Sequence, residues 1–201
     1  LLTVETIRSS MLGTLRVGTS TNPVKPNVRT RIIFADYGEI DRTEDPKELG
    51  RGAILMGKTE VYGAEKTSWL ALENPPKRGD TVLHLSKPVV GWQVGDDLVV
   101  AGTDPMDPSS DEVVKIASMD EMTVTLESSL QRDHTPALSD LKVHVANTTR
   151  NIRFSSENAA VKRRGHIMFM HTLDVDVNYA GFYRLGRTDK SVPIDDYYFP
   201  D

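Results

Sequence analysis

The 201-residue sequence contains no cysteine. That excludes disulfides, thiolate metal sites and cysteine nucleophiles, and it leaves the compartment open, because many exported proteins also carry none. Long apolar runs are missing too: no window reaches the roughly 18 to 20 uninterrupted apolar residues of a membrane helix. The opening Leu1-Leu2-Thr3-Val4-Glu5 has neither the charged start nor the apolar stretch of a signal peptide, and a start at Leu1 instead of Met is what a mature or excised piece of a longer chain would show. Positive charge is not in excess. With 24 Lys and Arg against 29 Asp and Glu the net charge is -5, so no global basic field collects nucleic acid or anionic lipid. There is no G-x-S-x-G, no phosphate loop and no dinucleotide fingerprint, which removes support for serine-hydrolase and nucleotide chemistry. Helical pattern is scarce; only Asp45-Pro46-Lys47-Glu48-Leu49-Gly50 could give one turn, ended by glycine.

What is present is the pattern of strands. Short runs rich in Val, Ile, Thr and Phe alternate apolar and polar residues and close on Gly, Pro, Asn or Asp, as in Thr14–Val17, Arg31–Phe34, Thr81–Leu85, Asp97–Val100, Thr123–Leu126 and Lys142–Val145. A chain of this length can bury a core without staples. The runs Gly13–Val17, Arg31–Ala35 and Gly52–Met56 recur at roughly 20-residue intervals, a period that points to solenoid coils. From Lys58 to about His134 the rhythm changes to hairpin-like strands around Arg78-Gly79-Asp80, Gly91–Asp96 and Met119–Met122. After it Asn151-Ile152-Arg153-Phe154 is echoed by Asp174-Val175-Asp176-Val177. Ile152, Phe154, Val175 and Val177 would point inward, and Arg153 and Asp176 would point out and stack on adjacent coils. The expected division is residues 1–57 and 136–201 as coils, with 58–135 as an inserted antiparallel subdomain.

Gly91-Trp92-Gln93-Val94-Gly95-Asp96-Asp97-Leu98-Val99-Val100, Glu112–Ile116, Thr123–Leu126 and Gln131-Arg132-Asp133-His134 resemble the G-eight domain, named for its eight glycines. Asn147–Ile152, Arg164–His171 and Phe182–Gly186 look like the β-helix that follows it in the cell-migration-inducing hyaluronidase family, fibrocystin-like proteins and bacterial relatives. The resemblance implies an all-β fold, a right-handed parallel β-helix with a small antiparallel insertion. It also implies a secreted or cell-surface module associated with glycans, with hyaluronan breakdown in some members.

The stretch Lys162-Arg163-Arg164-Gly165-His166, followed by His171, Asp174 and Asp176, gathers cations, imidazoles and carboxylates. His166, His171 and Asp174 could ligate a divalent metal, zinc or calcium. The alternative is that each His satisfies a backbone partner at a coil corner. A hydrolase would use Asp174 and Asp176, on one strand face, as its carboxylate pair, with His166 as a third catalytic candidate. A lyase would draw on Arg163, Arg164 or Arg184. The basic triplet could instead pair with carboxylates of an acidic polysaccharide, Arg doing so bidentately, or be a solvated loop. Trp69, Trp92, Tyr179, Tyr183, Tyr197 and Tyr198 are candidates to stack on sugar rings, with Trp92 better read as a core plug. Asp96 and Asp97 after Gly95 read as a turn device, Thr103–Asp111 has the oxygens of a loose calcium site, and Asn147-Thr148-Thr149 is a glycosylation acceptor. The acidic, aromatic Asp195–Asp201 reads as a flap over the solenoid end or a self-association surface.

The first reading is therefore a glycan-binding module with a ligand near Arg163, Arg164, Tyr183 and Arg184. The alternatives are a metal-assisted polysaccharide hydrolase or lyase, and a structural or adhesin segment. The expected partner is a polysaccharide, without nucleic acid or membrane insertion.

Overall fold

The structure is a computed structural model that describes residues 1–107 and 109–188. It is all-β: sixteen strands in chain order, with no helix among the described residues beyond the 3-10 turn Val161–Arg163. The strands are β1 Leu2–Val4, β2 Thr6–Ser9, β3 Thr14–Val17, β4 Thr30–Phe34, β5 Gly52–Leu55, β6 Lys58–Tyr62, β7 Trp69–Ala71, β8 Val82–His84, β9 Asp97–Val100, β10 Glu112–Met119, β11 Thr123–Leu126, β12 His144–Asn147, β13 Ile152–Ser156, β14 His166–Phe169, β15 Val175–Asn178 and β16 Ala180–Tyr183. Among the described residues no helix is long and apolar enough to cross a membrane.

Two compact units share these strands, residues 1–63 with 151 onward, and residues 64–150. In the first unit every pairing is parallel. The chain visits three sheets in turn, ordered β1-β4-β13-β16, β2-β5-β14 and β3-β6-β15. Apolar residues recur in columns. Leu2, Ile32, Phe154 and Phe182 stand in register, with the two phenylalanine rings stacked at 5.4 Å. Ile7, Ala53 and Ile167 form the column of the second sheet, and Val17, Val61 and Val177 that of the third. These columns meet in one core. Gly57, between β5 and β6, sits at a corner where a Cβ would lie 2.0 Å from the Gly13 carbonyl oxygen, so only glycine lets the two layers close.

Three sequence expectations change here. The runs spaced by roughly 20 residues lie in three different sheets, so that spacing is the step from sheet to sheet and not the repeat of one coil. Likewise Arg153 on β13 and Asp176 on β15 belong to different sheets; the strand that stacks on β13 is β16, pairing Ile152 with Ala180 and Phe154 with Phe182. Lys58–Tyr62 pairs in parallel between β3 and β15, whereas residues 144–147 pair with β7 and β9, so the pairing changes at Gly63 and Arg150 and not at the expected 57/58 and 135/136.

The loop from β4 to β5 is organised by charge. Asp45 accepts the Leu49 and Gly50 amides at 2.9 and 2.6 Å, which makes the stretch that could have formed a helical turn a carboxylate-capped loop. Arg51, only 1% exposed, reaches Asp36 at 3.1 Å and the Gly38 carbonyl.

The second unit is a six-stranded antiparallel sheet, β7-β12-β9-β10-β11-β8, that curls into a barrel, with Leu72 and Leu85, just past the end strands β7 and β8, meeting in a single bridge. Strand residues alternate apart from a register shift between Ile116 and Ser118 on β10, and Leu70, Leu83, Leu98, Val100, Ile116, Val124 and Val145 fill the interior, each contributing about 1.5–3 kcal/mol on burial. Trp92 plugs one end with its indole N–H donated to the Thr67 carbonyl at 2.7 Å. At the adjoining turn Gly91 holds φ 74°, and a Cβ there would stand 2.2 Å from the Glu65 carbonyl oxygen. Asp96 accepts the Gln93 amide beside Gly95 at φ 83°, as a turn device should, and also takes Lys66 Nζ at 2.6 Å in a nearly closed pocket. His134 is 1% exposed, with Nδ1 facing the Ala101 carbonyl at 2.8 Å and Nε2 facing Glu112 at 3.0 Å. Removing Glu112 leaves the buried His134 Nε2 without its hydrogen-bond partner. Glu112→Ala should therefore destabilise the barrel by about 1–3 kcal/mol, read as a shift in denaturant midpoint; a change within error would show that the contact carries no weight in the fold.

Candidate functional site

Parallel stacking places each outward residue directly beside its counterpart on the next strand. On the third sheet that column is Arg16, Glu60 and Asp176, and its charges are answered: Arg16 donates to Glu60 at 2.6 Å, Lys58 lies 3.3 Å from Glu60 and 3.5 Å from Asp174, and Asp176 accepts from Tyr62 and Asn178. The hydrogen bond to Asp176 raises the Tyr62 hydroxyl above its usual pKa, while the Arg16 contact lowers that of Glu60.

On the first sheet the equivalent column is Arg31, Arg153 and Gly181. Two exposed guanidinium groups thus stand on adjacent strands in register, and among the described residues neither has a carboxylate within ion-pair distance. Like charges placed opposite one another cost stability. Gly181 permits the arrangement: a Cβ there would lie 2.5 Å from the Tyr183 ring, so the ring lies over bare backbone, and the Arg153 guanidinium sits 3.7 Å above the ring centroid. Asn151 donates to the carbonyls of Val24, Lys25 and Val28, which ties the loop bearing the exposed Lys25 and Arg29 to the start of β13.

The residues nominated from sequence separate into scaffold and surface. Arg163 grips Asp36 through Nε at 3.0 and 3.1 Å and through Nη2 at 2.7 Å, and Asn158 adds a bond at 2.7 Å. The Arg163 hydrogen bond leads the causes that hold the Asp36 carboxyl down at about 2. Arg164 donates to the Ala159 carbonyl, and its own carbonyl receives Arg187 at 2.9 Å. Arg184 adopts φ 52°, and its carbonyl accepts the Ser156 hydroxyl. His171 and Tyr179 are also corner residues at φ 54°. His166 begins β14; its Nδ1 receives Arg187 Nη2 at 3.0 Å, while its Nε2 is buried without a partner among the described residues. Burial, then the Arg187 charge, pushes its pKa down. Asp174 and Asp176 share a strand face, but each is engaged in the Lys58 and Tyr62 ladder just described.

Among the described residues no group of three or more His, Asp or Glu side chains is arranged to hold a metal ion, so His166, His171 and Asp174 are not brought together as ligands. The Thr103–Asp111 loop spends its carboxylates internally: Asp104 on the Met106 amide, Asp107 on Ser109 and Arg132, Asp111 on the Gly102 amide. Asn147 is 1% exposed, its Nδ2 donating to Asp96 at 2.8 Å and its Oδ1 accepting the Thr149 amide, which is no place for a glycan. Tyr197, Tyr198 and the whole Asp195–Asp201 tail lie outside the described residues. Sequence reading named Tyr183 but missed Arg31 and Gly181; the two signals were the T-R-I and A-G-F-Y runs, which only the register brings together.

His166 and Asp36 are among the groups that make acid the weak side of this unit. The unfolded chain takes a proton on His166 near its ordinary 6.5 whereas the folded state resists it, so stability holds above that pH and falls below it. Asp36 adds a second loss as pH drops from its ordinary 3.8 toward about 2. Thermal melts should step down below about pH 6.5 and again below about pH 4, with His166→Gln removing the first step; a melting temperature flat across both would contradict the assignment.

No protein-family model matches the chain, and no curated protein matches it. Three phage tailspikes are similar in structure at low scores. The tailspike gp61 of Pseudomonas phage phi297 gives a TM-score of 0.36 at 17% identity, over 63% of this chain and 22% of that one. The Gp54 tailspike of Acinetobacter baumannii bacteriophage AP22, solved in complex with A. baumannii capsular saccharide, gives 0.34 at 16%, over 92% and 27%. The tailspike gp49 of Pseudomonas phage LKA1 gives 0.35 at 9%, over 77% and 22%. The chain thus spans well under a third of the length of any of these three.

Proposed function

We propose that the chain is a glycan-binding module that holds an acidic polysaccharide on the outer face of the sheet β1-β4-β13-β16. The observation that carries this reading is the Arg31–Arg153 column with Arg153 laid on Tyr183. A guanidinium stacked on an aromatic ring keeps its in-plane N–H groups free at the edge, oriented for a carboxylate or sulfate to accept two of them. Its neighbour one strand away, about 4.8 Å in the hydrogen-bonding direction, meets the same anionic group or the next one along the polymer. An anion there also relieves the repulsion between the two cations. A uronate polymer suits this chemistry, and the net charge of -5 argues against general affinity for polyanions such as nucleic acid.

In this reading the first unit is a right-handed parallel β-helix and the second the eight-glycine insertion, and the whole is a secreted or cell-surface module, as the sequence resemblance implies. Binding is favoured over hydrolysis or lysis because Asp174 and Asp176 are tied into a charge ladder and the nominated metal ligands stay apart.

Wild-type protein should bind hyaluronan or another uronate polymer with an affinity that falls as salt rises. Arg153→Ala should weaken it at least about tenfold, the worth of one charge-assisted pair, Arg31→Ala less, and Gly181→Val should act like Arg153→Ala by displacing the Tyr183 ring. Undiminished binding by the folded Arg31→Ala/Arg153→Ala double variant would sink the proposal.

A further inference from the structure

The barrel's outer surface carries an apolar row that the reading above does not use. Trp69 on β7, Ala146 on β12, Val99 on β9 and Val113 on β10 are in register across four neighbouring strands, all facing outward. Trp69 is 63% and Val113 70% exposed. The His144 ring meets the indole edge-on at 5.3 Å with an interplanar angle of 64°. On one side lie Thr148, which bonds the Asp97 carbonyl, and the Asp97–Lys115 ion pair; on the other stand His144, whose ring nitrogens make no hydrogen bond among the described residues, and the small Ala71 and Ala101 beside it. Four strands span about 14 Å at about 4.8 Å per step.

We infer that this row is a second glycan site, independent of charge, in which the Trp69 ring stacks on the apolar face of a pyranose and His144 meets its hydroxyls. A sugar ring is apolar on its C–H face and polar at its rim, which matches an indole with an imidazole on one side and Thr148 on the other; the row presents only two large exposed apolar side chains, Trp69 and Val113, short of the apolar core of a stable protein interface, which buries about 800 Å² per partner. The inference goes beyond the acidic-polymer reading and rests on different residues, so each can fail alone.

Trp69 and Trp92 are the only tryptophans, and Trp92 is buried with its N–H bonded, so a solvent-side change in emission reports Trp69. Titrating the full chain with neutral cello- and chito-oligosaccharides should give a saturable change in tryptophan emission that is insensitive to salt. The change should vanish in Trp69→Ala, weaken several-fold in His144→Ala, and persist in the Arg31→Ala/Arg153→Ala double variant. No saturable change with either probe, in protein that binds uronate polymer normally, overturns the inference and leaves the arginine site standing. A concentration-dependent dimer that Trp69→Ala abolishes also overturns it, since the row would then be a contact between copies. Absence of uronate binding by the unmodified protein, with the oligosaccharide response intact, instead counts against the arginine site alone.

Discussion

In-register parallel pairing governs the first unit. Because every strand lies beside its counterpart with no offset, a residue cannot choose its lateral neighbour; it stands beside whatever occupies the same place on the adjoining strand. On the inward faces this turns similar apolar residues into continuous columns such as Ile32, Phe154 and Phe182. On the outward faces it forces charges together, and the chain answers that in two ways. Arg16, Glu60 and Asp176 neutralise one another with help from Lys58, whereas Arg31 and Arg153 are left with like charges adjacent and only the Tyr183 ring as counterweight. That uncompensated face is the one to which the proposed function assigns an external anion.

Most of the remaining arginines in this unit are committed internally. Asp36 lies between Arg51 and Arg163, and Arg187 reaches the Arg164 and Gly50 carbonyls as well as His166. Irregular connections between short parallel strands leave carbonyls with no ladder partner, and a guanidinium with five donors can collect several at once. Arginine therefore serves here as backbone glue. That explains why a run of cations such as Lys162-Arg163-Arg164 is a poor guide to a binding surface: two of the three are spent on Asp36 and on the Ala159 carbonyl.

The strand content, the change of rhythm within the chain and the Gly95–Asp96 turn were legible in the sequence because each depends on local alternation or local turn chemistry. Trp92 as a satisfied core plug was legible for the same reason. The sheet-to-sheet step was confused with the coil repeat because loops of unequal length separate the strands, so Leu2 pairs with Ile32 but Ile7 pairs with Ala53. Register across such loops is fixed by packing, not by spacing. The role of Arg31 and the demotion of Arg163 both follow from register or from a long-range partner, Arg153 in one case and Asp36 in the other, which no periodicity reveals.

The burial of Asn147 bears on how the protein can be made. Its Asn-Thr-Thr context is read by a glycosylating enzyme while the chain is still extended, before β12 has paired. A glycan attached at that moment would occupy the place where Nδ2 must reach Asp96, and the ring of six strands could not close around it. Folding of the barrel and modification of that side chain are thus mutually exclusive outcomes, and a eukaryotic secretory host would set them in competition where a bacterial cytoplasm would not.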